Sequence, residues 1–351
     1  MDNKDLKCRI GAVGGQALVE GVMMKSKKHT AVAVRRMDNK KISVSRKKTT
    51  SISDKVRIFK WPLIRGVVNF IETMALSFST INESTEMLGL EVTDAEASKF
   101  DKWLEKHFGK WIMPIMTGFA MVLGVLLAVG LFIWLPTFIG NLAINGLNIE
   151  GSLQNVWRSL IEGVLKAVVF VFYIWLTSLI PDMKRVYQYH GAEHKSIFCY
   201  EKGLELTVEN VKKQSRFHPR CGTSFMFAMI LLSIFVGIAC LWWVEVVWLR
   251  SILKIVLLPL TVGIGYEFIR YAGRHDSAVV RAFSKPGLWM QRITTAEPDD
   301  EIIEVGITAL KCALPDDFPG FYEECLAAME EPASESANES DTASEIPEVE
   351  Q

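Results

Sequence analysis

Two histidines and a glutamate stand at helical spacing in the stretch His-Gly-Ala-Glu-His, residues 190–194. Positions i, i+3 and i+4 of an α-helix share one face, so His190, Glu193 and His194 would point in the same direction. Two imidazoles can bind a divalent metal, and a neighbouring carboxylate can accept a proton from water. The order His-x-x-Glu-His is also the inverted zinc-protease pattern. We therefore predict a divalent-metal site, with zinc as the expected ion and Glu193 as the catalytic residue.

A catalytic zinc site takes three protein ligands, so a third side chain must join the two histidines. The candidates are His218, Glu267 and His275, which stand in or next to long apolar segments that we interpret below as membrane spans. Glu267 stands within an apolar segment, where an ionisable group is costly and usually has a function. An ion pair with Arg270, one turn later, would explain Glu267 equally well. Histidines also collect outside lipid whatever their role, so an ordinary structural interpretation stands beside the metal site.

Cys221 offers a different chemistry. It follows Arg220 and lies near His218, and these neighbours could lower the pKa of the thiol and make it a nucleophile. No third group in the sequence orients that pair. Packing at a helix start, or ligation of the same metal, is therefore the simpler interpretation of Cys221. The run Arg-His-Asp-Ser at 274–277 contains triad residue types, but triads are assembled from distant positions, so it predicts none.

Long apolar segments flank these candidates and predict membrane spans. Residues 111–149 carry no charge and exceed the ~20 residues that one crossing requires. Pro136 is expected to end the first span, which leaves residues 137–149 as an outer loop. The other predicted spans are residues 153–180, 222–244 and 251–271. The predicted fold class is therefore mainly α, a polytopic α-helical membrane protein with four spans.

The basic residues predict the orientation of these spans. Of the 39 Lys and Arg residues, all but Arg158, Lys166, Arg250 and Lys254 lie before Trp111, between Pro181 and Arg220, or after Glu267. Cytoplasmic loops carry such an excess of positive charge. Both termini are therefore expected in the cytoplasm, with the His/Glu stretch on the inner face.

The remaining sequence predicts smaller units around the spans. Residues 30–37 and 41–46 are β-branched runs joined by Asp-Asn-Lys, which indicates a β-hairpin. Apolar residues recur at helical spacing in 58–90, either in the lipid headgroup layer or in a soluble core. Five parts are therefore predicted: an N-terminal cytoplasmic segment with a Gly-rich start and the hairpin (1–57), amphipathic helices (58–110), the transmembrane domain (111–271), a C-terminal helical segment (272–326) and a disordered acidic tail (327–351). The transmembrane domain includes a cytoplasmic His/Glu loop at 181–221. The C-terminal segment includes a helix at 297–314.

Charge is distributed unevenly along the chain. Residues 1–314 hold all 39 basic residues but only 28 of the 40 acidic ones, an excess of 11 positive charges. A basic cytoplasmic surface suits anionic lipids or RNA. Beyond the lipid bilayer itself, the possible partners are therefore anionic lipids and the translocation machinery or ribosome, and no DNA partner is expected. Transport is a weaker hypothesis, because the spans offer few polar groups.

Several separate motifs resemble one protein family. They are Gly-Gly-Gln-Ala-Leu-Val-Glu-Gly-Val-Met-Met at 14–24, His-Gly-Ala-Glu-His-Lys at 190–195, Arg-Cys-Gly-Thr-Ser-Phe at 220–225, Arg-His-Asp at 274–276 and Thr-Thr-Ala-Glu-Pro at 294–298. In this order they resemble the YqhQ-like family of bacterial multi-spanning membrane proteins, a domain of unknown function sometimes labelled predicted metal-dependent enzymes. The resemblance covers about residues 8–315. It implies a bacterial plasma membrane and a functional Gly-rich start, but no substrate.

Two functions of different classes follow as hypotheses. The first is metal-dependent hydrolysis of a peptide or lipid-linked substrate at the inner leaflet, with His190 and His194 as ligands and Glu193 as base. The second is a non-catalytic accessory factor for membrane-protein insertion or assembly, in which the His/Glu cluster is structural. Metal content separates the two hypotheses.

Overall fold

A computed structural model describes residues 9–52, 56–89, 112–151, 153–272 and 278–330. Within these ranges the protein is mainly helical, with one antiparallel sheet near the N-terminus. The strands are β1 (Val13–Leu18), β2 (Gly21–Ser26), β3 (His29–Arg35) and β4 (Ile42–Lys48). The helices are α1 (Ile64–Met87), α2 (Ile112–Val129), α3 (Leu135–Gly146), α4 (Gln154–Thr177), α5 (Pro181–Glu201), α6 (Val208–Lys212), α7 (Gly222–Leu241), α8 (Val247–Val256), α9 (Leu258–Ala272), α10 (Ala278–Thr294), α11 (Asp300–Ala313) and α12 (Phe321–Glu330).

The four strands form an antiparallel meander in the order β1-β2-β3-β4. The predicted hairpin is confirmed as β3 and β4, with Arg35 opposite Ile42. The Gly-rich start, by contrast, was predicted only as part of a segment with one hairpin, and it forms two further strands joined by a turn at Val19 and Glu20. Its glycines hid the strand pattern, because glycine has low strand propensity and no side chain to show which face is buried.

Helices cover both faces of the sheet. On one face Val22, Met24 and Ala33 pack in a core with residues of α5 and α11. On the other face Met23 and Val32 pack with α1 and Leu88. Successive side chains of a strand point to opposite faces, so both sets of residues in β2 and β3 are buried. The continuous burial of these two strands follows from this three-layer arrangement.

Helix α5, which contains the His/Glu stretch, packs on the face of the sheet opposite α1. It begins at Pro181, because Ile180 takes the extended backbone that proline imposes on the preceding residue. Its first turns are fixed to the β1–β2 turn, where Tyr189 donates a hydrogen bond to Glu20 (3.1 Å) and Arg185 forms an ion pair with the same carboxylate. From Tyr189 to Glu201 all but two of its residues are buried. The predicted His/Glu loop is thus largely a core helix of the sheet domain, by which we mean the four strands with α1, α5, α6, α11 and α12 packed on them.

By length and composition, two helical segments are suited to cross a membrane, namely Gly118–Gly146 and Gln154–Thr177. Helices α8 and α9 are bent by 47° and make a third if they are one span. The apolar helix Phe225–Leu241 is shorter than the other segments. Among the described residues, two or three helices therefore meet the requirements for a span, and the chain has the character of a membrane-associated protein.

Two predicted boundaries are corrected. The outer loop at 137–149 is largely helix α3, which continues from α2 through a π-helical turn, because Pro136 lies in the first turn of α3 and needs no N–H donor there. The fourth predicted span is divided into α8 and α9, with Pro259 in the first turn of α9. Helix α10 lies within the predicted C-terminal helical segment, as expected.

The C-terminal helix prediction is confirmed by α11, which Asp299 caps by accepting a hydrogen bond from Ile302 N. The tail was expected to be disordered from residue 327, but α12 continues to Glu330. The rest of the tail, residues 93–110 of the predicted amphipathic segment, and His275 lie outside the described residues.

Candidate metal centre

His190, His194 and Cys221 come together at the meeting point of α5 and α7. One ligand atom from each, an imidazole nitrogen or the sulfur, lies within 4.8 Å of the other two. His190 Nε2 lies 3.2 Å from Cys221 Sγ. The two histidines are one helical turn apart, and Cys221 immediately precedes α7 as its N-cap residue. Two imidazoles and one thiol are a ligand set that zinc takes in proteins.

Main-chain carbonyls fix the tautomer of both imidazoles. His190 Nδ1 donates to Thr294 O at 2.8 Å, and His194 Nδ1 donates to Arg216 O at 2.5 Å. A carbonyl oxygen can only accept, so Nδ1 is the protonated nitrogen in each ring and Nε2 carries the lone pair. Metal-bound histidines in proteins are oriented by this kind of hydrogen bond. The geometry therefore presents two Nε2 lone pairs toward one sulfur.

Burial favours the metal-binding form of His194. His194 is only 2 % exposed, and burial is the main cause that lowers the pKa of its imidazole. A neutral imidazole is the form that binds a metal. Thr223 Oγ1 lies 3.2 Å from Cys221 Sγ and can donate a hydrogen bond to a thiolate. A protonated thiol can serve only one of the two Nε2 acceptors, whereas a cation would satisfy both nitrogens and the sulfur.

Glu193 lies beside strand β1 rather than among the three ligand atoms. Its side chain is 5 % exposed, and its carboxylate accepts a hydrogen bond from the Gly15 main chain. Burial raises the pKa of Glu193 to about 7, against the opposing influence of His190. A Cβ at position 15 would lie 2.7 Å from Glu193 Cγ, so only glycine fits there without displacement. The Gly-rich start thus holds the carboxyl group one turn from His190.

The other predicted ligands occupy different positions. The His218 ring lies 5.5 Å from that of His194, but its Nε2 is 3.7 Å from Glu201 and is not in the ligand group. Glu267 forms a two-bonded ion pair with Arg65, which joins α9 to α1. Glu267 thus has the ion-pairing role that was the alternative to metal ligation, but its partner is Arg65 rather than Arg270. His275 is outside the described residues.

Cys221, for which packing at a helix start and ligation of the metal are both predicted alternatives, joins the two histidines, whereas His218 and Glu267 lie elsewhere. The signal for it was its place at the start of an apolar helix predicted to meet the His/Glu stretch at the inner boundary. The carbonyls of Thr294 and Arg216, which fix the imidazoles, had no signal in the sequence, because main-chain atoms carry no residue identity.

The comparisons with known proteins agree with the resemblance of the motifs. Residues 61–316 match the family described as "Protein of unknown function (DUF1385)". The chain belongs to this family. It is also 35 % identical over 299 residues to "Uncharacterized protein YqhQ" of Bacillus subtilis (strain 168), a match that covers 84 % of this chain and 90 % of that protein. No solved structure matches the chain. All three ligand candidates and Glu193 lie within the matched family region.

The contact between Gly15 and Glu193 predicts a matched pair of substitutions. Gly15→Ala should destabilise the protein by about 1–3 kcal/mol, because the added methyl group overlaps the Glu193 side chain. Gly14→Ala should change stability by less than about 0.5 kcal/mol, since nothing lies within 4 Å of its Cβ position. Thermal unfolding in detergent measures both. In a Glu193→Ala background the cost of Gly15→Ala should disappear, and an unchanged cost would contradict the contact.

A second buried carboxylate, Glu201, ties the end of α5 to the loop before α7. Arg220 Nη2 donates to both of its oxygens (2.5 and 2.6 Å), and Gly11 N donates to Oε1 at 2.8 Å. Burial opposes ionisation of Glu201. The nearby His218, the Gly11 amide and the Arg220 charge together outweigh burial and lower its pKa. Because the folded-state pKa is below the unfolded value, ionised Glu201 stabilises the fold above that unfolded value.

Glu201→Gln is therefore expected to reduce stability in a pH-dependent way. At pH 7 the loss should be about 1.5–3 kcal/mol, as for hydrogen bonds to charged groups. The difference in unfolding free energy between variant and parent should shrink as the pH falls below the ordinary carboxyl pKa of 4.5 and then through the lower folded-state pKa. Thermal unfolding at pH 7 and at lower pH tests this. Glu304→Gln, at an exposed ion pair with Arg35, is the control and should cost at most about 1 kcal/mol at either pH. Equal losses at both pH values for Glu201→Gln would contradict the assignment.

Proposed function

We propose that the protein is a membrane-embedded, metal-dependent hydrolase with its centre at His190, His194 and Cys221. The observation that supports this most strongly is the pair of Nδ1–H hydrogen bonds to Thr294 O and Arg216 O, which leave both Nε2 lone pairs beside one sulfur. Three protein ligands, rather than four, are typical of a catalytic zinc site. His190 and Cys221 are half-buried, so the centre is reachable from outside.

The proposed topology is four spans with both termini in the cytoplasm of a bacterium. Helices α2–α3, α4, α7 and the bent pair α8–α9 would be the spans, supported by their apolar composition and by the basic residues outside them. In that topology the end of α4 and the start of α7 both reach the inner leaflet, so the centre lies at that surface. The side chains of Phe70, Ile71 and Phe78, exposed on α1, would then contact lipid.

Each residue has a defined part in the proposed reaction. The carbonyls of Thr294 and Arg216 hold the imidazole rings in the tautomer that binds a cation through Nε2. A divalent ion bound there would polarise a substrate carbonyl or phosphoryl oxygen and make water more acidic. Glu193, held by the Gly15 amide, would accept the proton of the attacking water and pass it to the leaving group.

The substrate class follows from position rather than from a shaped pocket. A centre at the inner end of a span meets groups that emerge from the bilayer, so the proposed substrates are membrane-bound peptides or lipid-linked esters. The basic surface of residues 1–314 would hold anionic headgroups near it.

The same atoms favour one second candidate, a thiol nucleophile. Cys221 Sγ lies 3.2 Å from His190 Nε2, and Thr294 O orients the imidazole, which together resemble a Cys–His dyad with its orienting group. In that mechanism His190 would take the thiol proton and no metal would be needed. Metal content decides between the two candidates.

The test is elemental analysis followed by turnover. Protein purified from membranes should contain about one divalent ion per chain, and His190→Ala should lose it while His29→Ala, outside the ligand group, retains it. In proteoliposomes containing a fluorogenic peptide or phospholipid, Glu193→Gln should keep the ion and lose about 10²–10⁴-fold in turnover. Substoichiometric metal in the parent would end the metal proposal, and unchanged turnover in Glu193→Gln would remove its assigned role.

A further inference from the structure

A second cluster of charged side chains lies at the other end of the apolar helices. On α4, Arg158, Glu162 and Lys166 are spaced four residues apart and share one face. On α8, Arg250 and Lys254 have the same spacing. The two rows meet, since Lys254 Nζ forms an ion pair with Glu162 Oε2 at 2.6 Å. We call these five residues the basic cluster.

The basic cluster faces the inside of the helix bundle. Gly140 of α3 is so close that a Cβ there would lie 2.8 Å from Glu162 Cγ, and a Cβ at Gly163 would overlap Ile234 of α7. Arg158 is 5 % exposed, Glu162 is 3 % exposed and Arg250 is fully buried. Charged groups are placed in such surroundings at a high cost in desolvation unless something compensates them.

The buried positive charges of Arg158 and Arg250 are not neutralised by an acidic partner among the described residues. Arg250 donates to Leu241 O (2.6 Å), Val244 O (3.1 Å) and Ser159 Oγ (2.9 Å), all of which are uncharged acceptors. Arg158 donates to Asn155 Oδ1 (3.0 Å) and Asn141 Oδ1 (3.3 Å), which are also uncharged. Neither arginine forms an ion pair with any described residue.

The basic cluster therefore has a surplus of positive charge. Four cations surround one carboxylate, and that carboxylate is already paired with Lys254. Arg250 is close enough to interact electrostatically with both Arg158 and Glu162. Three buried polar atoms also find no hydrogen-bond partner among the described residues, namely Arg158 Nε, Arg250 Nε and Glu162 Oε1. Two unused guanidinium N–H donors in a net positive site indicate an anionic ligand.

We propose that the basic cluster is a binding site for a phosphate group. A guanidinium presents its N–H donors in a planar fork that fits the oxygens of phosphate, and buried arginine is less strongly hydrated than lysine. Arg158 and Arg250 would donate through their free Nε–H groups, while Lys166, at the half-buried end of the row, would add charge. The phosphate could belong to a phospholipid headgroup or to free inorganic phosphate. The site is at the opposite end of α4 from the metal centre and does not depend on it.

The experiment is a titration of the full-length protein in a neutral detergent, followed by thermal unfolding. One arm uses inorganic phosphate, a second uses short-chain phosphatidylglycerol and a third uses the matching diacylglycerol, which lacks phosphate. The parent should show a saturable rise in unfolding temperature with a phosphate-bearing probe and none with diacylglycerol. Saturation by inorganic phosphate alone assigns the site to the free ion, whereas saturation by the lipid alone assigns it to the headgroup.

Three variants test the residues. Arg158→Gln should weaken binding by about tenfold or more, as expected for loss of a charge-assisted hydrogen bond. Glu162→Gln should bind at least as well as the parent, because it removes the one negative charge among the five described residues of the basic cluster. Lys213→Gln, exposed on the sheet domain, should bind as the parent does. If Arg158→Gln does not fold, Lys166→Gln takes its place with the same expected direction. The proposal is overturned if neither probe saturates, if Arg158→Gln binds as the parent does, or if Glu162→Gln weakens binding as much as the arginine variant.

Discussion

Cys221→Ser is expected to remove most of the metal affinity and leave the fold intact. A serine hydroxyl is a far poorer ligand than a thiolate, and loss of a ligand should exceed the roughly 10–100-fold effect known for groups that only orient ligands. The fold should survive because Cys221 precedes the first residue of α7, and serine is a favoured residue at a helix N-cap. Competition against a chelator of known affinity measures the dissociation constant of the ion.

A matched thiol substitution isolates this effect. Cys325→Ser removes a partly buried thiol from α12, outside the ligand group, and should bind the ion as tightly as the parent. Far-ultraviolet circular dichroism and the unfolding temperature show whether the Cys221 variant is folded. A folded Cys221→Ser variant with parental metal affinity would exclude the sulfur from the centre.

Gly191→Ala is expected to cause the largest loss of stability in the sheet domain. A Cβ at this position would lie 2.1 Å from Ala296 O, in the segment that joins α10 to α11. That main chain is held by the hydrogen bond from Ala296 N to Tyr187 O (2.8 Å), so it can move away only if α5 shifts as well. Overpacking of this kind costs about 1–3 kcal/mol of unfolding free energy. Because the contact is with rigid main chain, we expect Gly191→Ala to lose about 3 kcal/mol or more. Thermal unfolding in detergent provides the measurement.

The shift of α5 should also reach the metal centre. His190 is the preceding residue and depends on Thr294 O, two residues before Ala296. Gly191→Ala should therefore weaken metal binding as well as stability. Gly124→Ala in α2 is the control, because nothing lies within 4 Å of its Cβ position and alanine favours a helix by roughly 0.5–1 kcal/mol. Equal unfolding temperatures for the two variants would show that α5 and the Ala296 segment are not in close contact.

The sequence was most informative where a pattern is local. The β3–β4 hairpin, the amphipathic helix α1, the helix α11 with its acidic first turn and the apolar segments were all visible from the spacing of residues. The shared face of His190, Glu193 and His194 was visible in the same way. Each of these features depends on neighbours within about one or two turns of the chain.

Features that depend on distant partners were not predictable. Arg65 and Glu267 are 202 residues apart, so Arg270, the local partner, was the only one the sequence suggested. Cys221 kept two interpretations, packing at a helix start or ligation of the metal, because no local pattern shows that its sulfur meets His190, 31 residues earlier. The strand β1 was missed for a related reason, since Gly15 is explained only by the Glu193 side chain that packs against it.

Helix α5 is the element on which the proposed function depends. It packs against the sheet, contains both histidines and the glutamate, and ends at Glu201 beside the loop that leads to Cys221. The sheet domain fixes the helix, and the end of α10 and the loop before α7 fix the imidazoles. The site is therefore a product of the tertiary fold, although two of its three ligand candidates are neighbours in sequence.

Cobalt(II) spectroscopy of the purified protein tests the central claim most directly, because cobalt takes tetrahedral zinc sites and reports on the atoms that bind it. We expect about one cobalt per chain, with tetrahedral visible bands and a sulfur-to-cobalt charge-transfer band in the near ultraviolet. That charge-transfer band should be absent in Cys221→Ser and present in Cys325→Ser. Failure to retain cobalt, or cobalt bound without any sulfur band in the parent, would contradict a centre built from His190, His194 and Cys221.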